Sequence, residues 1–283
     1  MRAPTRIGAV AYLNTRPLVH GLERGLGRGA IELSYAVPSA LADRMAEGAL
    51  DVALLPIVEL ARLGDLELVP GLGIVTFGAS RSVLLVARTP VEQIRSVALD
   101  RDSRTSNALT QVLFANVWRR KPEFSLGPAS LDDALAGHDA AVRIGDKALF
   151  EAPPDGVFVY DLGEVWTENT GLPFVFAAWA ARVGFVDREL YRILHDSRRE
   201  GAKVIREIAN GYEWNGKHHP SIAFAYLTEH IRFRLGSAEL QAIEKFFRAA
   251  HEIGIVERIP EIRLAMQRRT GCHETAEKLG RLT

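Results

Sequence analysis

The sequence predicts an α/β protein built as two similar lobes with a ligand cleft between them. The main observation behind this is a pattern used twice. Ser39-Ala-Leu-Ala-Asp-Arg-Met-Ala-Glu-Gly48 runs into Asp51-Val-Ala-Leu-Leu-Pro56, and Ser130-Leu-Asp-Asp-Ala-Leu-Ala-Gly137 runs into Asp139-Ala-Ala-Val-Arg-Ile-Gly-Asp146. Each copy reads as a Ser-capped helix, a Gly stop, an Asp and a short apolar strand. The second observation is size: 283 residues, 47% of them hydrophobic, suffice to give each of two lobes a core. The third is a pair of apolar runs, 82–88 and 172–180, placed where the chain would cross between lobes. Ligands of open α/β sheets sit at the carboxyl ends of the strands, so two such lobes face each other across a cleft.

The elements follow in order. Residues 7–13, Ile-Gly-Ala-Val-Ala-Tyr-Leu, predict a buried first strand. Asn14 and Thr15 suit a helix N-terminus and Pro17 its first turn, so a helix should run to about Gly25. Residues 31–37 alternate as a half-buried strand and lead into the first copy of the repeat. Residues 66–70 and 74–77 predict two short strands, with Gly71 and Gly73 as punctuation. Residues 82–88 end at Thr89-Pro90 and predict the first crossover. Residues 97–100 open the second lobe, and Ser103-Arg-Thr-Ser-Asn107 leads into a helix over 108–118. After the second copy comes a strand at 157–160, then the return crossover at 172–180. The rest reads as helices over 188–210, 220–233 and 238–253. Ser237 suits the N-cap of the last, and Leu240 at its third position rules out a capping box. These helices should pack back on the first lobe. That lobe is then discontinuous, 1–88 plus 178–283, with 89–177 as the second.

Composition narrows the function. Thirty-five basic side chains balance 35 acidic ones, so no bulk field draws in nucleic acid or an anionic membrane surface. The single Cys272 excludes an intrachain disulfide and a multi-cysteine metal site. The chain passes from Met1 into strand-like sequence without a long apolar leader or a membrane-length run, so a cytoplasmic protein is expected. His218-His219 has no acidic or cysteine partner at helical spacing, and a solvated loop is the better reading. Gly25-Leu-Gly-Arg-Gly29 lacks the strand-turn-helix setting of a dinucleotide fingerprint. Trp166 and Trp179 read as core.

The residues just past the strand ends should line the cleft. These are Asn14, Thr15 and Arg16, then Ser80 to Ser82 at the first crossover, then Ser103 to Asn107, and Asp146 at the end of the second copy. Ser103, Thr105, Ser106 and Asn107 at a helix start offer hydroxyls, amides and backbone N–H groups to one anion. Ordinary helix capping needs only one of the four. Arg16 is a possible carboxylate clamp or a solvated surface residue. Asp146 suits a base or, more readily, the anchor of its own turn.

Several segments, taken together, resemble a known family. Ile7-Gly-Ala-Val-Ala-Tyr-Leu-Asn-Thr-Arg-Pro-Leu18 is similar to the opening signature of the chorismate dehydratases of futalosine-dependent menaquinone biosynthesis. Ser103-Arg-Thr-Ser106, Ile144-Gly-Asp-Lys-Ala-Leu149, Asp161-Leu-Gly-Glu-Val-Trp166 and Thr170-Gly-Leu-Pro-Phe-Val-Phe-Ala-Ala-Trp-Ala180 resemble its later motifs, in order and over nearly the whole chain. The resemblance implies a two-lobed, type II periplasmic-binding-protein-like fold. It also implies a lyase that removes the ring hydroxyl of chorismate as water and leaves 3-[(1-carboxyvinyl)oxy]benzoate. Such an enzyme needs no metal or redox cofactor, and its partner is a small dicarboxylate. By family position, Asn14 and Ser82 stand at the chemistry, with Arg16, Ser103, Thr105, Ser106, Asn107 and Asp146 as substrate-binding candidates. The alternatives are a 1,4-dihydroxy-6-naphthoate synthase-like enzyme of the same pathway and a non-catalytic solute-binding protein. The opening Tyr-Leu-Asn-x-Arg-Pro-Leu favours the dehydratase.

Overall fold

The computed structural model describes residues 3–266, so Cys272 lies outside the described residues. In the first half, β1 (Thr5–Val10) is followed by α1 (Arg16–Glu23), β2 (Ile31–Ala36), α2 (Pro38–Ala46), β3 (Val52–Pro56), α3 (Glu59–Leu63) and β4 (Leu66–Thr76). The chain then gives β5 (Val83–Ala87), β6 (Ser96–Leu99), α4 (Arg104–Asn116), β7 (Glu123–Leu126), α5 (Leu131–Gly137) and β8 (Ala140–Ile144). After these come α6 (Gly145–Phe150), β9 (Phe158–Asp161), α7 (Leu162–Thr170) and β10 (Phe174–Arg182). The last part holds α8 (Arg188–Lys203), α9 (Ile205–Gly211), the hairpin β11 (Glu213–Trp214) and β12 (Lys217–His218), α10 (Pro220–Ala225), a π-helical turn at Tyr226–His230, and α11 (Ser237–Glu252).

Ten strands form two five-stranded sheets of matching design, ordered β2-β1-β3-β10-β4 and β7-β6-β8-β5-β9. In each, the first three positions are parallel, and the βαβ connections run from the second position to the first and then across to the third. In each, the fourth strand is antiparallel to both neighbours. The two repeated units, α2–β3 and α5–β8, hold the same place in their respective sheets. The fold is thus α/β and two-lobed, as the duplication implies.

The strands in fourth place are exchanged. β5 leaves the first half of the chain and pairs in the second sheet, and β10 returns to the first. The run at 82–88, expected to close the first lobe, is therefore a strand of the second, because its partners are β8 and β9. By sheet membership the chain changes lobe between Thr76 and Val83 and again between Asp161 and Phe174, ahead of the expected limits at 88 and 177.

Other expectations shift by local chemistry. Pro38 takes the first turn of α2, so Val37, not Ser39, is the cap, and no side chain closes it. Ser130 does cap α5, accepting from Asp133 N–H. Two short strands become the single 11-residue β4, because Gly71 at φ 80° and register shifts against β10 carry the ladder through. The helix expected over 188–210 breaks at Val204 into α8 and α9. α11 starts one residue early: Gly236 is its cap, Glu239 becomes the third position, and its Oε2 accepts from Gly236 N–H at 2.7 Å.

Two apolar clusters hold the layers. One joins β1 and α1 to α8 through Ile7, Leu18, Leu22, Leu190 and Leu194, with Trp179 and Tyr226 between them. α1 and α8 approach so closely that a Cβ on Gly201 would lie 2.2 Å from Pro17 O, and one on Gly21 2.7 Å from Ser197 Cα. Ser197 Oγ bridges the crossing, donating to Leu18 O at 2.8 Å and accepting from Leu22 N–H at 3.2 Å. The other cluster spans both sheets and includes Leu55, Val75, Leu85, Val97 and Val142. Within it Phe246 of α11 meets Trp166 and Phe174 edge-on. α8 and α9 thus pack on the first lobe as expected, whereas α11 covers the junction of both. Trp166 and Trp179 are core residues, 2% and 0% exposed. His219 stacks on Phe150 beside the hairpin instead of standing in open solvent. Among the described residues no helix is long and apolar enough to cross a membrane.

Candidate active site

A cavity partly open to solvent lies between the lobes, where the parallel strands of both sheets end. The first lobe contributes Val10 at the end of β1, Tyr12 and Asn14 past it, and Leu54 and Pro56 at the end of β3. The second contributes Ser103, Thr105 and Ser106 at the head of α4, and Ile144 and Gly145 past β8. Ser82 and Phe176 enter on the two exchanged strands. Its wall is largely apolar with a few convergent polar groups, the composition of a small-molecule site.

The head of α4 forms one polar end. Ser103 is the N-cap: its Oγ accepts from Ser106 N–H at 3.2 Å and donates to Ser106 Oγ at 2.8 Å. The serine pair therefore leaves the Ser106 proton to be donated elsewhere. Thr105 Oγ1 accepts from Val58 N–H of the first lobe at 3.2 Å, and its own proton is likewise not needed for that bond. The turn before α4 is held by Asp100, which accepts from Asp102 N–H and pairs with Lys147 at 2.6 Å. A thirteen-residue helix directs its positive end at this spot.

The opposite polar group is a chain of three side chains. Asn14 Nδ2 donates to Tyr226 Oη at 3.0 Å, and Tyr226 Oη lies 2.7 Å from Ser82 Oγ. Tyr226 is buried, and burial pushes its phenol pKa up, so the hydroxyl stays protonated at neutral pH. The loop that presents Ser82 is clamped by Asp161. That carboxylate accepts from Ser80 N–H and Oγ–H, from Arg81 N–H, and from Gly163 and Glu164 N–H at the start of α7. The clamp holds Arg81 at φ 62°, a conformation unusual for a residue with a side chain.

Arg16, Asn107 and Asp146, expected at the ligand, do not line the cavity. Arg16 pairs with Glu23 at 2.7 Å and lies over the Tyr35 and Tyr212 rings. Asn107 spends its amide on its own turn, accepting from Asp100 N–H and donating to Asp100 O at 2.7 Å. Asp146 is an anchor between lobes. Its carboxylate accepts from Leu13 N–H at 3.1 Å and from the Tyr212 hydroxyl. Burial pushes its pKa up to about 6, against the opposing pull of Tyr212, Leu13 N–H and Arg16. Asn14, Ser82, Ser103, Thr105 and Ser106 are all at the cavity wall.

The residues the sequence did not single out are Tyr12, Tyr226 and Phe176. Tyr12 packs its ring against Gly145, where a Cβ would come within 2.9 Å of the ring. Tyr226 is the one hydroxyl in an apolar run, Ile222-Ala-Phe-Ala-Tyr-Leu227, and that oddity was its only local signal. Its partner Ser82 stands 144 positions away.

A family model described as menaquinone biosynthesis matches residues 5–252. A chorismate dehydratase of Thermus thermophilus is 28% identical to the chain over 264 residues, covering 87% of this chain and 95% of that one. Another, from Campylobacter jejuni, is 29% identical over 245 residues, covering 86% and 92%. Among solved structures, a protein of Archaeoglobus fulgidus superposes with TM-score 0.71 at 15% identity, covering 90% of this chain and 99% of that one. A Candida albicans protein with the generic periplasmic binding protein fold superposes at 0.59 and 12% identity, covering 90% and 91%.

Proposed function

The chain belongs to the menaquinone biosynthesis family, and from that premise we propose that it dehydrates chorismate to 3-[(1-carboxyvinyl)oxy]benzoate. The observation that carries this reading is the chemistry of the cavity wall. Hydroxyls, one amide and the head of α4 supply its polar groups, and apolar side chains supply the rest. One substrate carboxylate sits at the head of α4, bonded by Ser106 and Thr105. The ring packs against Val10, Leu54 and Phe176.

In the reaction a proton leaves the ring carbon that bears the ether. Hydroxide leaves the neighbouring carbon, the two combine as water, and the ring gains its aromatic sextet. The conversion is redox-neutral and aromatisation drives it, so the proposal invokes no cofactor. Ser82 and Asn14 donate hydrogen bonds where negative charge grows in the transition state. Among the described residues, those lining the cavity include no carboxylate, imidazole or amine. Burial holds the Tyr12 phenol in its protonated form, so it is no base. In this reading the proton acceptor is a carboxylate of the substrate itself, held in place by the wall. The reading places the enzyme in the cytoplasm, where a water-soluble dianion reaches it.

Purified protein incubated with chorismate should consume it and release the aromatic product in equal amount. A folded protein that binds chorismate and leaves it unchanged would overturn the proposal and put the fold to use as a solute-binding module.

A further inference from the structure

We propose that Tyr226 is a positioning residue whose buried hydroxyl fixes the direction in which Ser82 donates its proton. The inference rests on the dehydratase reading above and adds a third member to the Asn14 and Ser82 pair.

The geometry is built for this. Tyr226 is 1% exposed and belongs to the apolar cluster that also holds Ile7, Leu18 and Trp179. It opens the π-helical turn Tyr226–His230, directly after the α-helical Pro220–Ala225. A wider turn costs regular hydrogen bonding and is found mostly where a side chain must be re-aimed at a functional site. Here it lets the phenol oxygen meet Asn14 Nδ2 and Ser82 Oγ at once, at 3.0 and 2.7 Å.

Counting protons then sets the direction. An amide nitrogen only donates, so the Tyr226 oxygen accepts from Asn14. Asn14 Oδ1 faces the other way, 3.5 Å from Thr15 Oγ1. The buried phenol proton needs an acceptor, the Asn14 amide nitrogen cannot accept, and Ser82 Oγ at 2.7 Å is the partner that can take it. Ser82 then has its own proton left for the cavity that it lines. The order is Asn14 N–H to Tyr226 O–H to Ser82 O–H to substrate oxygen, and bonds in such a chain polarise one another. No proton is transferred in the resting arrangement. Without Tyr226, the Ser82 hydroxyl is free to turn and to accept instead of donate.

Tyr226→Phe removes the oxygen and keeps the ring in the core. The expected result is a kcat roughly ten- to a hundredfold lower, the scale of one hydrogen bond to a charged or charging group, with KM within about twofold. The deciding measurement is the same substitution in a Ser82→Ala background. If Tyr226 acts through Ser82, the second loss nearly vanishes. Equal losses in both backgrounds would make Tyr226 a packing residue and overturn the inference. Should Tyr226→Phe fold poorly, 2,3-difluorotyrosine at position 226 asks the same question with the packing kept. A changed kcat at constant KM supports the relay, and an unchanged kcat overturns it. Wild-type protein is the control: if it leaves chorismate unchanged, the dehydratase reading fails and this inference with it. If it turns chorismate over and Tyr226→Phe matches it, only the inference fails.

Discussion

Asn14 and Ser106 stand at different ends of one cavity and should fail in different ways. Asn14 belongs to the chain that reaches the departing oxygen, so Asn14→Ala should lower kcat by about 10²-fold while KM moves little. Ser106 belongs to the carboxylate end, so Ser106→Ala should raise KM by roughly tenfold and leave kcat nearly unchanged. Steady-state kinetics on the two variants check both, and a reversed pattern would exchange the assigned roles. The sequence could point to these side chains because each follows a strand end or opens a helix, and local pattern places such residues at a cleft. It could not separate them from Arg16, Asn107 and Asp146, which satisfy the same local rule. What keeps those three from the cavity wall is where their polar atoms are spent: on Glu23, on the Asp100 backbone and on Leu13. Those partners are set by tertiary packing, and for Asp146 the partner is 133 positions away.

At the scale of elements, the duplicated helix–strand unit was legible because apolar period, Gly stop and Asp recur at matching spacing. The π-helical turn and the bulged β4 were not, since each keeps the local pattern of an ordinary helix or strand pair and departs from it only in register. The crossing of α1 and α8 was equally hidden, although its cause is a single missing atom. Gly201→Ala puts a methyl group against the Pro17 carbonyl, a backbone atom that cannot swing aside. This should destabilise the protein by about 1–3 kcal/mol, the usual range for overpacking. Thermal or urea unfolding checks it, and a loss below measurement would mean that α8 slides without cost. Because α1 follows the cavity residues directly, Gly201→Ala should also lower kcat modestly.

For the molecule as a whole, the lobes are tied by contacts that include a titrating group. Besides Thr105 to Val58, the second lobe's Arg104 pairs with Asp43 at 2.7 Å and Glu59 at 3.4 Å in the first, and Asp146 accepts from Leu13 N–H. Asp146 has its folded pKa raised to about 6, from an ordinary value of 3.8. A raised pKa means that the folded state binds the proton more tightly than the unfolded chain. Its contribution to stability is then full below about pH 4 and is lost as pH rises through about 6, a difference of at most ~3 kcal/mol. Asp146→Asn, neutral throughout, should gain stability relative to wild type as pH goes from 4 to 7. Paired urea unfolding curves at those two values check the sign, and a gap of the opposite sign would show that the carboxylate is wanted charged. The exchange of β5 and β10 has a different consequence, for the order in which the chain can fold during synthesis. Every strand of the second sheet lies between residues 83 and 161, whereas the first sheet lacks its fourth strand until residue 182. The lobe that begins later in the sequence is therefore the first to leave the ribosome complete. The amino-terminal strands must wait, with β3 and β4 unpaired along one edge, for a segment made about a hundred residues after them.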